Sequence, residues 1–368
     1  MPFEIDFLPV GNGDRCGDAI AVRYGQPGAY TIMIYDGGTL ESGEQLVNHV
    51  HKYYETDFVD HVVSSHPDAD HACGLSVVLE ELEIGTLWLH SPWHYSQIII
   101  DYFRDGRITS QSLKEKLQKK MAAAYELEQI AIEREIAIQE PFQGKMIGDF
   151  HVLSPSQEWY VHTLIAEFEK SPEQKPAAAA ISSPLYTLLQ PMIEAALKAG
   201  RWIDERWDLE LLRENPPTSA ENESSAILYA YMEDHKQGIL LTGDSGVQAL
   251  NGAMDYLDLH RVNAPDLIKF IQIPHHGSRH NVSTSVLDRI LGKRLTAKPN
   301  KYEKVAFVSA SKASTTHPRK MVVNAFLRRG AQVIATQGSA KRHWRGMPAR
   351  EGWTTATPLD FSDKVEAW

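Results

Sequence analysis

"SSHPDADHACGL", residues 64–75, begins in the last residues of the run FVDHVVSS (58–65) and places His66, Asp68, Asp70 and His71 within six positions. A run of that kind reads as a strand, and its end delivers the motif onto a loop. Alternate residues of an extended loop point the same way, so His66, Asp68 and Asp70 are expected to converge while His71 turns to a neighbouring position. One tetrahedral ion needs only four ligands. A single loop would wrap all four around one ion only under strain, so two adjacent divalent ions, Zn²⁺ or Mn²⁺, are the more natural reading. Further ligands should then come from other strand ends. ILLTGD (239–244) ends an apolar run in Asp244, and IQIPHHGS (271–278) ends another in His275 and His276. A strand-end carboxylate such as Asp244 can bridge two ions about 3.5–4 Å apart.

The rest of the chain fits a layered α/β protein. Its 368 residues are 43% hydrophobic and 23% charged, enough to build a sizeable core. EIDFLPV, AIAVRY and YTIMIYDGG read as three opening strands, with a polar turn GNGDRCGD (11–18) between the first two. SGEQLVNHVHKYYE (42–55) and GLSVVLEEL (74–82) have helical spacing, and GTLWLH (85–90) reads as a strand. Residues 93–217 look like a mainly helical insertion: SLKEKLQKKMAAAYELEQIAIEREIAIQ (112–139) is rich in helix formers, a short strand pair lies in QGKMIGDFHVLSP, and DERWDLELLRENPP (204–217) ends in a proline stop. That insertion offers a surface for capping a site or forming a homo-oligomer. Strand patterning resumes in a hairpin turning at 233–238, then in LIKFIQIPHHGS, VAFVSAS, the helix MVVNAFLRRG and the strand AQVIATQ. Prolines and polar residues within 177–197 argue against a membrane span. The N-terminus lacks the pattern of a secretory signal, and two cysteines, Cys16 and Cys73, are too few for a disulfide framework, so the expected location is the cytoplasm. The net charge is −11, yet Arg261–Arg350 holds 18 lysines and arginines against Asp266, Asp288 and Glu303. That local surplus predicts a positive face for a phosphate-rich partner.

FLPVGNGD (7–14), YDGG (35–38), SHPDADHACGL (65–75), NESSAIL (222–228), ILLTGD, IPHHGS (273–278) and TTHPRKMV (315–322) together resemble the metallo-β-lactamase superfamily, and within it the hydrolase domain of ComEC-type DNA-uptake proteins. The resemblance implies an αβ/βα sandwich forming one domain over 1–368. It implies His66, Asp68, Asp70 and His71 as ligands from the first motif, Asp244 as the bridging carboxylate, and His276 as the last ligand with His275 facing substrate, the two being interchangeable on sequence alone. His317 falls at a position near the substrate. Many members carry a histidine where this chain has Asn222 and Ser224, so one ion would be held by fewer ligands, and Cys73 stands where the family usually has a small residue. The activity so implied is phosphodiester hydrolysis by hydroxide bound between two metal ions, with Asp70 or Asp244 passing a proton to the leaving oxygen. The substrate would be a nucleic acid. A small phosphodiester (a cyclic nucleotide or phosphocholine ester) and a metal-bearing binding module with little turnover are the alternatives.

Overall fold

In Phe3–Phe7 (β1) phenylalanine and isoleucine alternate with Glu4 and Asp6, so the strand sends three apolar side chains to one face and two carboxylates to the other. The same alternation runs through Ala19–Gln26 (β2) and Ala29–Gly37 (β3), but there both faces are apolar, and such strands must be covered on both sides. The computed structural model describes residues 1–11, 17–102, 108–170 and 202–368, with the side chains of 169 and 170 excepted. Most of the polar turn at 11–18 and the segment 177–197 lie outside the described residues.

β1, β2 and β3 join Phe58–Val63 (β4), Glu83–Trp88 (β5), Ala137–Gln139 (β6) and Lys341–Arg345 (β15) in a seven-stranded sheet of order β15–β1–β2–β3–β4–β5–β6. A second seven-stranded sheet contains Met146–Ile147 (β7), Phe150–Ser154 (β8), Ile227–Met232 (β10), Gln237–Leu241 (β11), Ile268–Gln272 (β12), Lys304–Val308 (β13) and Ala331–Ala335 (β14), in the order β14–β13–β12–β11–β10–β8–β7. Trp202–Asp204 (β9) pairs with Lys364–Glu366 (β16) apart from both. Phe3, Ile5, Phe7, Val22, Met33 and Tyr35 from the first sheet meet Leu228, Met232, Ile239, Leu241 and Phe270 from the second in a buried central layer. The opposite faces are covered by helices. Leu40–His49 (α1), Ala69–Glu81 (α2), Ser110–Lys120 (α3) and Ala122–Glu133 (α4) lie on the first sheet. Val247–Leu259 (α5), Thr284–Leu291 (α6) and Lys320–Arg328 (α7) lie on the second. The architecture is thus the expected αβ/βα sandwich.

Three local expectations change. The helix expected across 112–139 breaks at Met121 and ends at Glu133; Glu135 turns the chain with φ 57°, and Ala137–Gln139 becomes an edge strand of the first sheet. The strand pair at 146–154 enters the second sheet, where His151 sits opposite Tyr229. DERWDLELLRENPP is not helical. The Arg328 guanidinium binds the carbonyls of Arg206, Trp207 and Leu209, and Arg329 grips Glu210, so the backbone acceptors a helix would use are already taken.

The site's loops follow from strand direction. β3 and β4 run parallel (Tyr35 beside Val63), as do β11 and β12 (Ile239 beside Phe270), so Asp36, Ser64–His66, Asp244 and His275 all emerge near one edge of the sandwich. Two hydrogen bonds stitch the sheets together there: the Tyr35 hydroxyl donates to the Ala226 carbonyl, and the Ala226 N–H to that of Ser65, each at 2.9 Å. Gly74 lets α2 seat against this edge, because a Cβ on it would collide with the carbonyl oxygens of Gly37 and Thr39.

Candidate metal centre

The first motif does not lie on a loop throughout. α2 begins at Ala69, so Asp68 is its N-cap and Asp70 and His71 occupy its first turn. Aspartate before an alanine-rich helical start is favoured there, since a carboxylate complements the helix N-terminus. Asp68 nonetheless makes no side-chain capping bond, and its carboxylate lies 3.7 Å from His66 Nε2. The turn at Ala69, rather than extended alternation, is what aims His71 and His66 at one another, their rings 4.2 Å apart.

Asp244 is the hub. Its Oδ2 lies 3.8 Å from His66 Nε2, 3.4 Å from His71 Nε2, 3.6 Å from His275 Nε2 and 3.8 Å from His276 Nε2. These separations exceed a normal hydrogen bond. His66 Nε2, His71 Nε2, both ring nitrogens of His276 and Asp244 Oδ1 are buried with no hydrogen-bond partner. Buried polar atoms are nearly always satisfied, so such a convergence of orphans needs an explanation. Donors each about 2.0–2.2 Å from one ion would stand roughly 3.3–3.6 Å apart, close to the 3.4–3.8 Å found around Asp244. Nitrogen and carboxylate donors of this kind suit zinc, and the carboxylates suit manganese as well. The residues therefore fit a divalent metal. Among the described residues, three triads have donor atoms close enough to hold one: Asp70–His71–His276, Asp36–His66–His71 and Asp18–His71–Asp244. His71 belongs to all three; Asp68 and His275 belong to none.

The histidines are aimed from behind. Asp36, buried with φ 58° at the end of β3, accepts from the Ser65 N–H (2.7 Å), the Ser65 hydroxyl (2.6 Å) and His71 Nδ1 (2.9 Å). With its proton given to Asp36, the Ser65 hydroxyl is left to accept from His66 Nδ1 at 2.9 Å. One carboxylate thus fixes the tautomer of both imidazoles and turns both Nε2 lone pairs towards Asp244. Asn281 braces the other side, donating to the Asp244 carbonyl at 2.7 Å, while the Ser225 hydroxyl accepts the Asp244 N–H. Asp36 lies within the quoted YDGG, where a carboxylate before a Gly-Gly turn was the available signal. Asp18 is the last residue of the polar turn and carried no pattern of its own.

Electrostatics follow from burial. For Asp244, burial raises the carboxyl pKa, but attraction to His275 and His71 in their protonated forms outweighs it and holds it well below the usual range. Against the cost of burial, Asp244 and Asp36 in turn raise His71 well above the usual imidazole range, so its Nε2 lone pair becomes available once a metal displaces that proton. For His276, burial pushes the imidazole down to about 3 against the pull of Asp244, leaving a neutral ring with one nitrogen lone pair free. Burial lifts Asp18 to about 7, opposed by His71 and reinforced by Asp244.

His275 and His276 sit on a turn in which both have positive φ (48° and 56°). His276 is buried, whereas the His275 side chain is 34% exposed and its Nδ1 pairs with the Asn222 carboxamide at 2.7 Å. Cys73 and His317 stand apart from the Asp244 hub. They line the open groove of about 1140 Å³ that leads to it, together with Asp68, Asp70 and Asn222. The His317 turn is held against the histidine turn by the Arg319 N–H, which donates to the Gly277 carbonyl at 3.0 Å. Among the described residues no helix is long and apolar enough to cross a membrane.

No family model matches the chain, and no curated protein matches it. Among solved structures, a long-form RNase Z from yeast aligns over 98% of this chain at 12% identity and a TM-score of 0.31; the chain spans 40% of that protein. The rubredoxin:oxygen oxidoreductase of the anaerobe Desulfovibrio gigas aligns over 90% of this chain and 70% of its own, at 11% identity and a TM-score of 0.31. A likeness of that size carries no functional weight, and the site is read from its own geometry.

Proposed function

We propose that the chain is a metal-dependent phosphodiesterase of the metallo-β-lactamase superfamily, acting on nucleic acid, with residues 93–217 as an insertion in one domain. One observation carries the metal dependence: Asp244 Oδ2 lies 3.4–3.8 Å from four histidine Nε2 atoms, three of them buried and unpartnered. His66, His71, His276, Asp70 and Asp244 would hold two divalent ions, Zn²⁺ or Mn²⁺, with Asp68 on the His66 side. Bound there, such ions acidify water and polarise a phosphoryl group.

The chain's own side chains supply the rest. Asp36 and Ser65 keep His71 and His66 in the tautomer that presents Nε2. His275, oriented through Asn222, is exposed enough to donate a hydrogen bond to a substrate oxygen in the groove. Asp70, part-buried on the groove wall, passes a proton to the leaving oxygen, a role Asp244 shares. His317, on the same wall, contacts the substrate beyond the scissile bond.

The test is purified protein loaded with Mn²⁺ or Zn²⁺ and offered single- and double-stranded DNA and RNA. Cleavage that disappears in Asp244→Ala is the expected result, and no cleavage with any metal overturns the reading. A second reading, a metal-bearing binding module with little turnover, draws on the Asn222–His275 pair, because a carboxamide stands where another imidazole would strengthen one ion's ligand set. One tightly held ion per chain by elemental analysis, with no hydrolysis, would favour it.

A further inference from the structure

The cation surplus of residues 261–350 divides in two once the chain is folded. Arg289 pairs with Asp255 and Asp258, Arg328 with Glu205, Arg329 with Glu210 and Asp288, and Arg342 and Arg350 with Glu4. These arginines hold the fold together and leave no charge to spare. Arg279 and Arg319, together with Arg213 from outside that stretch, have no ion-pair partner among the described residues. The guanidiniums of Arg213 and Arg279 lie 4.4 and 4.9 Å from the Trp368 ring, and the His280 ring lies 5.6 Å from it.

This cluster is built from the segments that carry the candidate site. Arg279 and His280 continue the His275–Gly277 turn, and Arg319 follows His317 and is tied to Gly277 through its backbone. The loop after Arg213 is fastened by Thr218, whose hydroxyl donates to the His280 carbonyl at 2.6 Å. Ser278 and His280 line the groove itself. Glu366 is the carboxylate that faces the cluster, and it already accepts the Lys320 N–H at the start of α7. Arg279 is partly buried; its Nη1 donates to the Ala367 carbonyl, while its Nε is buried without a hydrogen-bond partner. Like charges gathered this way repel one another, and a polyanion relieves that repulsion.

We propose that Arg213 and Arg279, gathered about Trp368, and Arg319 beside Arg279 bind, at the rim of the groove, backbone phosphates of a nucleic-acid strand flanking the phosphodiester presented to the Asp244 cluster. The proposal rests on the phosphodiesterase reading and narrows it: the substrate is a polynucleotide and not a small phosphodiester. Each phosphate neutralised releases counterions, so three contacts to a single strand contribute about −2 to the slope of log K against log salt.

The test measures anisotropy of a fluorescein-labelled single strand of about 20 nucleotides, long enough to span groove and rim, with the full chain in EDTA across a salt series. The variant carrying Arg213→Gln, Arg279→Gln and Arg319→Gln is expected to lose roughly tenfold or more in affinity at low salt and about 2 units of slope. Arg213 is exposed, so Arg213→Gln alone carries little folding cost and should remove about 0.7 of a unit. Retained affinity and slope overturn the proposal. So does an equal loss in the β15 pair Lys341→Gln and Arg345→Gln, or equally tight binding of heparin or phosphatidylserine vesicles. Because binding is read without metal, failure of the catalytic reading appears separately, as intact binding with no cleavage once Mn²⁺ or Zn²⁺ is restored.

Discussion

Asp36 touches neither the groove nor Asp244, yet three hydrogen bonds of 2.6–2.9 Å make it the group on which two histidines depend. A carboxylate can accept from Ser65 and His71 together; an amide must present an N–H to one of them. Asp36→Asn should therefore free the His71 tautomer and, through Ser65, that of His66. The expected loss is about 10–100-fold in metal affinity, read by competition with a chromophoric chelator, with the fold retained by circular dichroism. Unchanged affinity would show that Asp36 only packs. Asp68 poses a different question, because it leaves its capping role unused and lies 3.7 Å from His66 Nε2. A carboxylate there favours a harder ion than imidazole would. Asp68→His is expected to raise activity with Zn²⁺ relative to Mn²⁺, and an equal ratio in both proteins counts against a ligand role for Asp68. At this scale the residues with metal chemistry in a recurrent spacing were legible in the sequence. Asp18, which reaches the cluster from the end of the polar turn just before β2, was not, since a lone carboxylate in a turn looks like any solvated loop residue until the fold buries it.

Strand β1 shows what element-level pattern can and cannot reveal. Its alternation placed Phe3, Ile5 and Phe7 in the core, but nothing in FEIDF tells what Glu4 and Asp6 meet on the other face. The fold answers with arginines from distant positions: Arg23, Arg342 and Arg350 on Glu4, and Arg350 with His49 and Tyr54 on Asp6. These pairs staple β15 and the loop after it onto the first sheet. Glu4 is fully buried, and removing it strands the guanidiniums of Arg23 and Arg342, at most 10% exposed, and leaves Arg350 with Asp6 alone. Glu4→Ala should cost about 3–5 kcal/mol, the usual result of leaving buried charges unpaired. Urea unfolding measures it, and a loss under about 1 kcal/mol would mean that water already satisfies the network. The same long-range pairing explains why the irregular course of 204–217 within a segment expected to be mainly helical was not legible: the partners that hold it, Arg328 and Arg329, lie more than a hundred residues away.

For the molecule as a whole, alternating apolar strands and amphipathic helices made the layers readable, while the charge surplus after residue 261 did not form the single face expected of it. The larger consequence of building four layers is that histidines end up where protons cannot follow. His90, stacked on Tyr160 at 4.4 Å, is buried with both ring nitrogens unpartnered, and burial pushes its pKa down to about 3. His343, stacked on Phe270 at 4.6 Å, is pushed down to about 3 by the same cause. In the unfolded chain each would titrate near 6.5. Their folded pKa values are lowered, so both states are neutral above about 6.5 and these groups place no pH dependence on stability there. As pH falls from about 6.5 towards 3, the unfolded chain takes up protons that the folded one refuses, and stability drops by about 1.4 kcal/mol per pH unit for each histidine. Other groups titrate over the same range, so the clean measurement is a difference. Urea-unfolding free energies of the native protein and of His90→Leu should run parallel above pH 7. Below about 6.5 they should converge or cross, because the native protein alone carries the His90 proton-uptake penalty, at about 1.4 kcal/mol per unit. Curves that stay parallel down to pH 4 would mean that His90 reaches water in the folded state.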